Sequence, residues 1–181
     1  MNFIKKQWSN ILFGVLILLL VVPQTAIPIK AFVSRLFAFS PSIENVDERA
    51  KLDSYNWNLV DLNGKTVDFN DYKGKKIIVN FWATWCPPCV AEMPSMQALY
   101  NDYKDKVVFL FVTNENEPAI TKFLDKNDYT LPIFKSVSVP PKVLQTKSLP
   151  TTYLINEEGE IVIDKTGAAD WNSDKVRALL D

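Results

Sequence analysis

At 181 residues, with 20 Lys and Arg against 21 Asp and Glu and a net charge of −1, the chain has no basic excess with which to hold nucleic acid. It has two Cys, three Met and no His, so a Cys/His zinc site and a histidine-ligated haem lack their donors, and a copper site lacks its usual partners for Cys. Nothing in the composition calls for a cofactor.

The first element is apolar. From Gln7 to Ile29 no residue is charged, and Ile11 to Val22 is almost wholly aliphatic. A run of ~20 such residues crosses a bilayer core, so residues 7–29 are predicted to form a transmembrane helix held in membrane lipid. Lys5 and Lys6 precede the run and favour a cytoplasmic N-terminus (1–6) with the remainder exported, although Lys30 and Arg35 make the asymmetry small. A cleavable signal peptide is the competing reading. Cleavage after Ala26, Ala31 or Ala38 would place Gln24, Ile29 or Leu36 where a small residue is wanted, so a retained anchor is expected.

Residues 30–53 read as a juxtamembrane stem. Between Pro28 and Pro41, Phe32, Leu36 and Phe39 recur at near-helical spacing, the pattern of a short helix lying at a membrane surface or against a partner. Ser40 to Asp53 is charged. The ~130 residues that follow suffice for one domain of ordinary size.

Within 54–181, Trp57 to Leu62 and Lys65 to Phe69 flank an Asn63-Gly64 turn and predict an N-terminal β-hairpin. Ile77 to Trp82 and Val107 to Val112 are continuous apolar runs, as in parallel strands covered on both faces. Helices are expected from Pro87 to Tyr103, kinked at Pro94, and from Glu117 to Lys126, capped by Asn116. Thr151 to Ile155 and Glu160 to Ile163 form a second hairpin, and Asp170 or Asn172 caps a final helix. This order specifies an α/β fold with a mixed sheet and helices on both faces.

The chemistry sits between the first buried strand and its helix, in Trp85-Cys86-Pro87-Pro88-Cys89. A helix opening at Pro87 puts both sulfurs on one face near its N-terminus, where the dipole and free N–H groups favour a thiolate. A structural disulfide is the bland alternative, but so small a loop removes little unfolded-state entropy. Pro87 and Pro88 both lack an N–H at the helix mouth, which predicts a moderately lowered Cys86 pKa and a potential on the reducing side.

Ile78 to Cys89, followed by Glu92-Met93-Pro94 and by Leu149-Pro150-Thr151-Thr152-Tyr153-Leu154-Ile155, resembles the TlpA/ResA branch of the thioredoxin superfamily over about residues 54 to 181. The resemblance implies a thioredoxin-like fold, a membrane-tethered domain outside the cytoplasm, and thiol-disulfide exchange. Its partners would be a disulfide-containing exported protein, apocytochrome c included, and a membrane-bound thiol donor that re-reduces the pair. It carries Cys86 over as exposed nucleophile, Cys89 as resolving thiol, and Pro150 as a cis proline facing them, with Leu149 backbone groups free for a substrate strand. Glu92 matches an acidic position that relays a proton to Cys89 when buried; a solvated glutamate favourable to the helix dipole is the other reading. Asn80 stands where thioredoxin has a buried aspartate and cannot titrate. Trp85, with Pro87 and Pro88, would shape the substrate rim, whereas Trp82 is expected to pack. A protein that holds or delivers copper through its thiols, without turnover, is the alternative.

Overall fold

The computed structural model describes residues 2–181, and side chains from Gln7 onward except Ser9. Lys5 and Lys6, on which the expected orientation rests, lie outside the described side chains.

The apolar start forms two helices where one was expected, α1 (Asn2–Val21) and α2 (Pro23–Leu36), meeting at 86°. Proline at 23 explains the break. It cannot donate to the carbonyl of Leu19, and the Thr25 hydroxyl does so instead at 2.8 Å. No single described helix is long and apolar enough to cross a membrane; the bent pair together meets that test. The predicted surface helix at 29–39 is thus the second half of α2, which packs along α3 with Ala26 and Ala31 buried.

The charged stem is also folded. Glu44 N–H donates to Val162 O, Ile161 N–H to Ala50 O and Leu52 N–H to Gly159 O, so residues 44–52 run along the edge of β7 and cover it. Arg49 meets Glu160 at 3.6 Å. Gly159 adopts φ +80°, and a Cβ there would meet Tyr55 Oη at 2.7 Å.

Seven strands, β1 (Asn58–Asp61), β2 (Thr66–Asp68), β3 (Ile77–Phe81), β4 (Val108–Val112), β5 (Ile133–Ser136), β6 (Thr151–Ile155) and β7 (Ile161–Thr166), form one sheet in the order β2-β1-β5-β4-β3-β6-β7. The central pairs β3/β4 and β4/β5 are parallel and the others antiparallel. β5 has no counterpart among the predicted elements. It joins the N-terminal hairpin to the parallel core.

Alternate residues of each central strand face opposite ways. Ile78, Phe109, Phe111 and Leu154 join core residues of α3 (Pro87–Tyr103), α4 (Glu117–Asn127) and α5 (Asp174–Leu180). Ile77, Val79, Leu110 and Tyr153 join Trp57, Phe69 and Leu144. Helices therefore cover one face rather than both, and the second face is closed by the hairpin region and two short 3₁₀ turns. α3 runs through Pro94 as one helix, and α4 carries the expected cap, Asn116 Oδ1 accepting from Ala119 N–H at 3.0 Å. The final helix differs. Its N-cap residue is Ser173, because Asp170 accepts from Asn172 N–H and Asn172 Oδ1 accepts from Arg177.

Trp57 anchors the second face. It is fully buried, its ring lies 5.3 Å from Phe69 and 6.0 Å from Phe81, and its Nε1 donates to Ser136 of β5 at 2.7 Å. Trp57→Ala should cost about 3–5 kcal/mol in denaturant unfolding, and Trp57→Phe less. A loss below about 1 kcal/mol for the alanine variant would show that the hairpin lies outside the cooperative core.

Candidate active site

β3 delivers the chain to the carboxyl edge of the sheet, where a short turn precedes α3. Trp82 N–H donates to Val112 O, and Cys86 N–H to Ala83 O. Thr84 is held at its N–H (2.5 Å) and hydroxyl (2.7 Å) by the two carboxylate oxygens of Glu115, which follows β4. Sequence reasoning missed Glu115. Its one signal was position, in the loop beyond the carboxyl end of a parallel strand, where open α/β sheets place ligand contacts.

Cys86 is the N-cap residue of α3, Pro87 and Pro88 occupy the first two helical positions, and Cys86 and Cys89 are joined as a disulfide with Cα atoms 5.2 Å apart. The two prolines withhold two donors, so the first N–H the helix can offer is that of Cys89. It donates to Cys86 Sγ at 3.3 Å. Cys86 is not openly exposed in this state, at 4% against 0% for Cys89; the residual access belongs to Cys86. Trp85 beside it is 61% exposed.

Leu149–Pro150 is cis, as expected. Leu149 is half-buried, and neither its N–H nor its C=O is bonded among the described residues. A groove of about 760 Å³ is lined by Ala83, Trp85, Glu115, Lys147 and Leu149 among others. Trp82 packs, with its ring 5.3 Å from Phe123.

Glu92 is buried, not solvated. It lies one helical turn beyond Cys89, 1% exposed. Asn80 Nδ2 donates to its Oε1 at 2.8 Å, while Trp171 Nε1 at 3.0 Å and Ala169 N–H at 3.4 Å donate to its Oε2. Burial pushes its pKa up to about 7, against the opposing pull of Trp171, Asn80, Ala169 and the charge of Lys165. Asn80 also donates to Thr152 Oγ1 at 2.7 Å and leaves its own Oδ1 without a partner among the described residues. The arrangement can do two things: exchange a disulfide at a helix mouth, and hold or release a proton close by near neutral pH.

Residues 38–180 match the family described as Redoxin. The chain belongs to the Redoxin family. It is 42% identical over 123 residues to the thiol-disulfide oxidoreductase ResA of Halalkalibacterium halodurans, an alignment covering 66% of this chain and 69% of that protein. It is 38% identical to the ResA of Bacillus cereus, over 59% of this chain and 64% of that one. In fold it is similar to a putative thiol:disulfide interchange protein DsbE from Chlorobium tepidum, with TM-score 0.59, 22% identity, and coverage of 71% of this chain and 94% of the other. The chain is a ResA-like member of the thioredoxin superfamily, and its Cys86/Cys89 pair serves thiol-disulfide exchange.

The Glu92 site generates a pH dependence of known sign. An unfolded glutamate loses its proton near 4.5, whereas the folded one keeps it to about 7, so between these values the native state binds more protons and stability falls as pH rises. The loss should reach about 3 kcal/mol by the upper end of that window and then level off. Denaturant unfolding of the oxidised protein between these limits checks it. Glu92→Gln should flatten the slope whatever its absolute stability, and an unchanged slope would place the titration elsewhere.

Proposed function

We propose that this protein is a membrane-anchored disulfide reductase of exported proteins, with its catalytic domain on the extracytoplasmic side. The observation that carries the reading is the pairing of a dithiol at a helix mouth with a buried acid one turn inside.

In the reduced protein Cys86, favoured as thiolate by the helix dipole and the Cys89 N–H, attacks one sulfur of a substrate disulfide. A mixed disulfide forms and one substrate thiolate leaves. Cys89 then loses its proton, for which Glu92 as carboxylate is the nearby acceptor, and attacks Cys86 Sγ. The substrate departs with both sulfurs reduced, and the protein is left with the Cys86–Cys89 disulfide. Two electrons and two protons from a membrane-bound thiol donor restore the dithiol.

Leu149, with Pro150 behind it, offers free backbone groups to an extended substrate segment, and Trp85 forms the exposed rim above Pro87 and Pro88. The groove from Trp85 to Lys147 would receive flanking side chains. Apocytochrome c, whose paired cysteines need reduction before haem attachment, is the substrate to test first. The withheld proline donors support a potential on the reducing side.

The division of labour between the thiols is testable by trapping. Cys89→Ala should accumulate mixed disulfides through Cys86, while Cys86→Ala traps at least roughly tenfold less, and neither reduces substrate. Equal trapping by the two variants would overturn the assigned roles. For topology, a membrane-impermeant maleimide should label the reduced cysteines in whole cells or spheroplasts, and the protein should stay with membranes through a carbonate wash. Labelling only after lysis would reverse the orientation.

A further inference from the structure

Helix α2 carries two different faces. Ile27, Ala31 and Ser34, spaced i, i+4, i+7, are buried or half-buried on the side toward α3, where Arg35 and Ala38 share a cleft with the small residues Ala91, Pro94, Ser95 and Ala98. The opposite stripe, Ile29, Phe32, Val33 and Leu36, follows the same i, i+3, i+4, i+7 logic and is exposed, Phe32 at 65% and Leu36 at 62%. Phe37 and Phe39 extend it at 69% and 74%. So much exposed aromatic and aliphatic surface on a helix already packed on its other side is not needed by the domain core.

Two observations say what covers it. The stripe follows directly in the chain on α1, whose apolar residues from Ile11 to Val21 are 39 to 70% exposed, and the 86° bend means that an α1 entering a bilayer along its normal leaves α2 in the plane of the membrane. Charge agrees with that placement. No acidic residue precedes Glu44, and the exposed Lys30 and Arg35 flank the stripe on its two sides, where their stems can follow the apolar surface while the cationic heads reach lipid phosphates.

We propose that the outer face of α2 lies in the interface of an anionic bilayer and, because its inner face is packed on α3, fixes the orientation of the redox domain on the membrane. The proposal rests on the reading of the N-terminal apolar segment as an anchor, shortens the inserted part from residues 7–29 to α1, and gives α2 a second, in-plane contact. A protein partner seated on the stripe is the competing occupant.

The full chain, reconstituted in phosphatidylcholine/phosphatidylglycerol vesicles containing a phospholipid with a diazirine high on its acyl chain, tests this by mass-spectrometric mapping of photo-adducts. Adducts are expected on α1 and on Ile29, Phe32, Val33 and Leu36, several-fold above those on Ile27, Ala31 and Ser34. Phe32→Glu/Leu36→Glu should lose the α2 adducts, keep those on α1, and reduce a small soluble disulfide at the wild-type rate. Wild-type adducts on α1 with the stripe unlabelled would overturn the proposal while leaving the anchor intact, the result expected if water or a protein covers the stripe. Labelling on all sides of α2 would overturn its fixed docking on α3. Labelling of neither helix would remove the anchor and the proposal together.

Discussion

The carboxylate of Glu92 is the point on which three parts of the domain converge. Asn80 reaches it from β3, Ala169 and Trp171 reach it from the loop before α5, and Glu92 itself belongs to the helix that opens with the cysteines. Leaving a charge in such a place without donors would cost an amount comparable with the whole stability of a small domain, so each donor's position is constrained. Three donors offset much of the cost without cancelling it. The remainder appears as a proton affinity near neutrality, the range in which an acid can both take up and release a proton during turnover.

All three donors suit the ionised acid, and none accepts from the neutral one. The unpartnered Oδ1 of Asn80 is the nearest remedy, since turning that amide would present an acceptor to a protonated Glu92 and to the Thr152 hydroxyl. An aspartate in place of Asn80 would set two carboxyl groups against each other in the same buried space. Asparagine at this strand position and glutamate on the facing helix are therefore one design, with the titrating group moved from strand to helix.

Elements whose residues repeat a local rule were legible in the sequence. The proline pair that follows Cys86 located the start of α3, Asn116 located the start of α4, and the continuous apolar runs located β3 and β4. What escaped depended on contacts distant in sequence. β5 is four residues long and follows a proline, and it is a strand because β4 and β1 lie on either side of it. The stem beside β7 shows no alternating pattern: backbone hydrogen bonds hold it to the strand, and its side-chain contacts, Arg49 with Glu160 and Leu52 in the core, are scattered. Pro23 and Thr25 lie within an apolar run that composition alone reads as unbroken, and Glu115 is one acidic residue among many until Thr84 is seen between its oxygens. Burial of Glu92 was equally invisible, since its partners lie 12 to 79 positions away.

The docking of α2 on α3 and of residues 44–52 on β7 leaves almost no free tether between the first helix and the redox domain. Flexible linkers let a domain sample a volume that grows with their length, and this chain has little such length to spend. Anchored through α1, the disulfide would sweep a thin layer just above the bilayer. Substrates would be met by lateral encounter in two dimensions, and those that dwell near the membrane as they emerge from export would be favoured over those already diffused away.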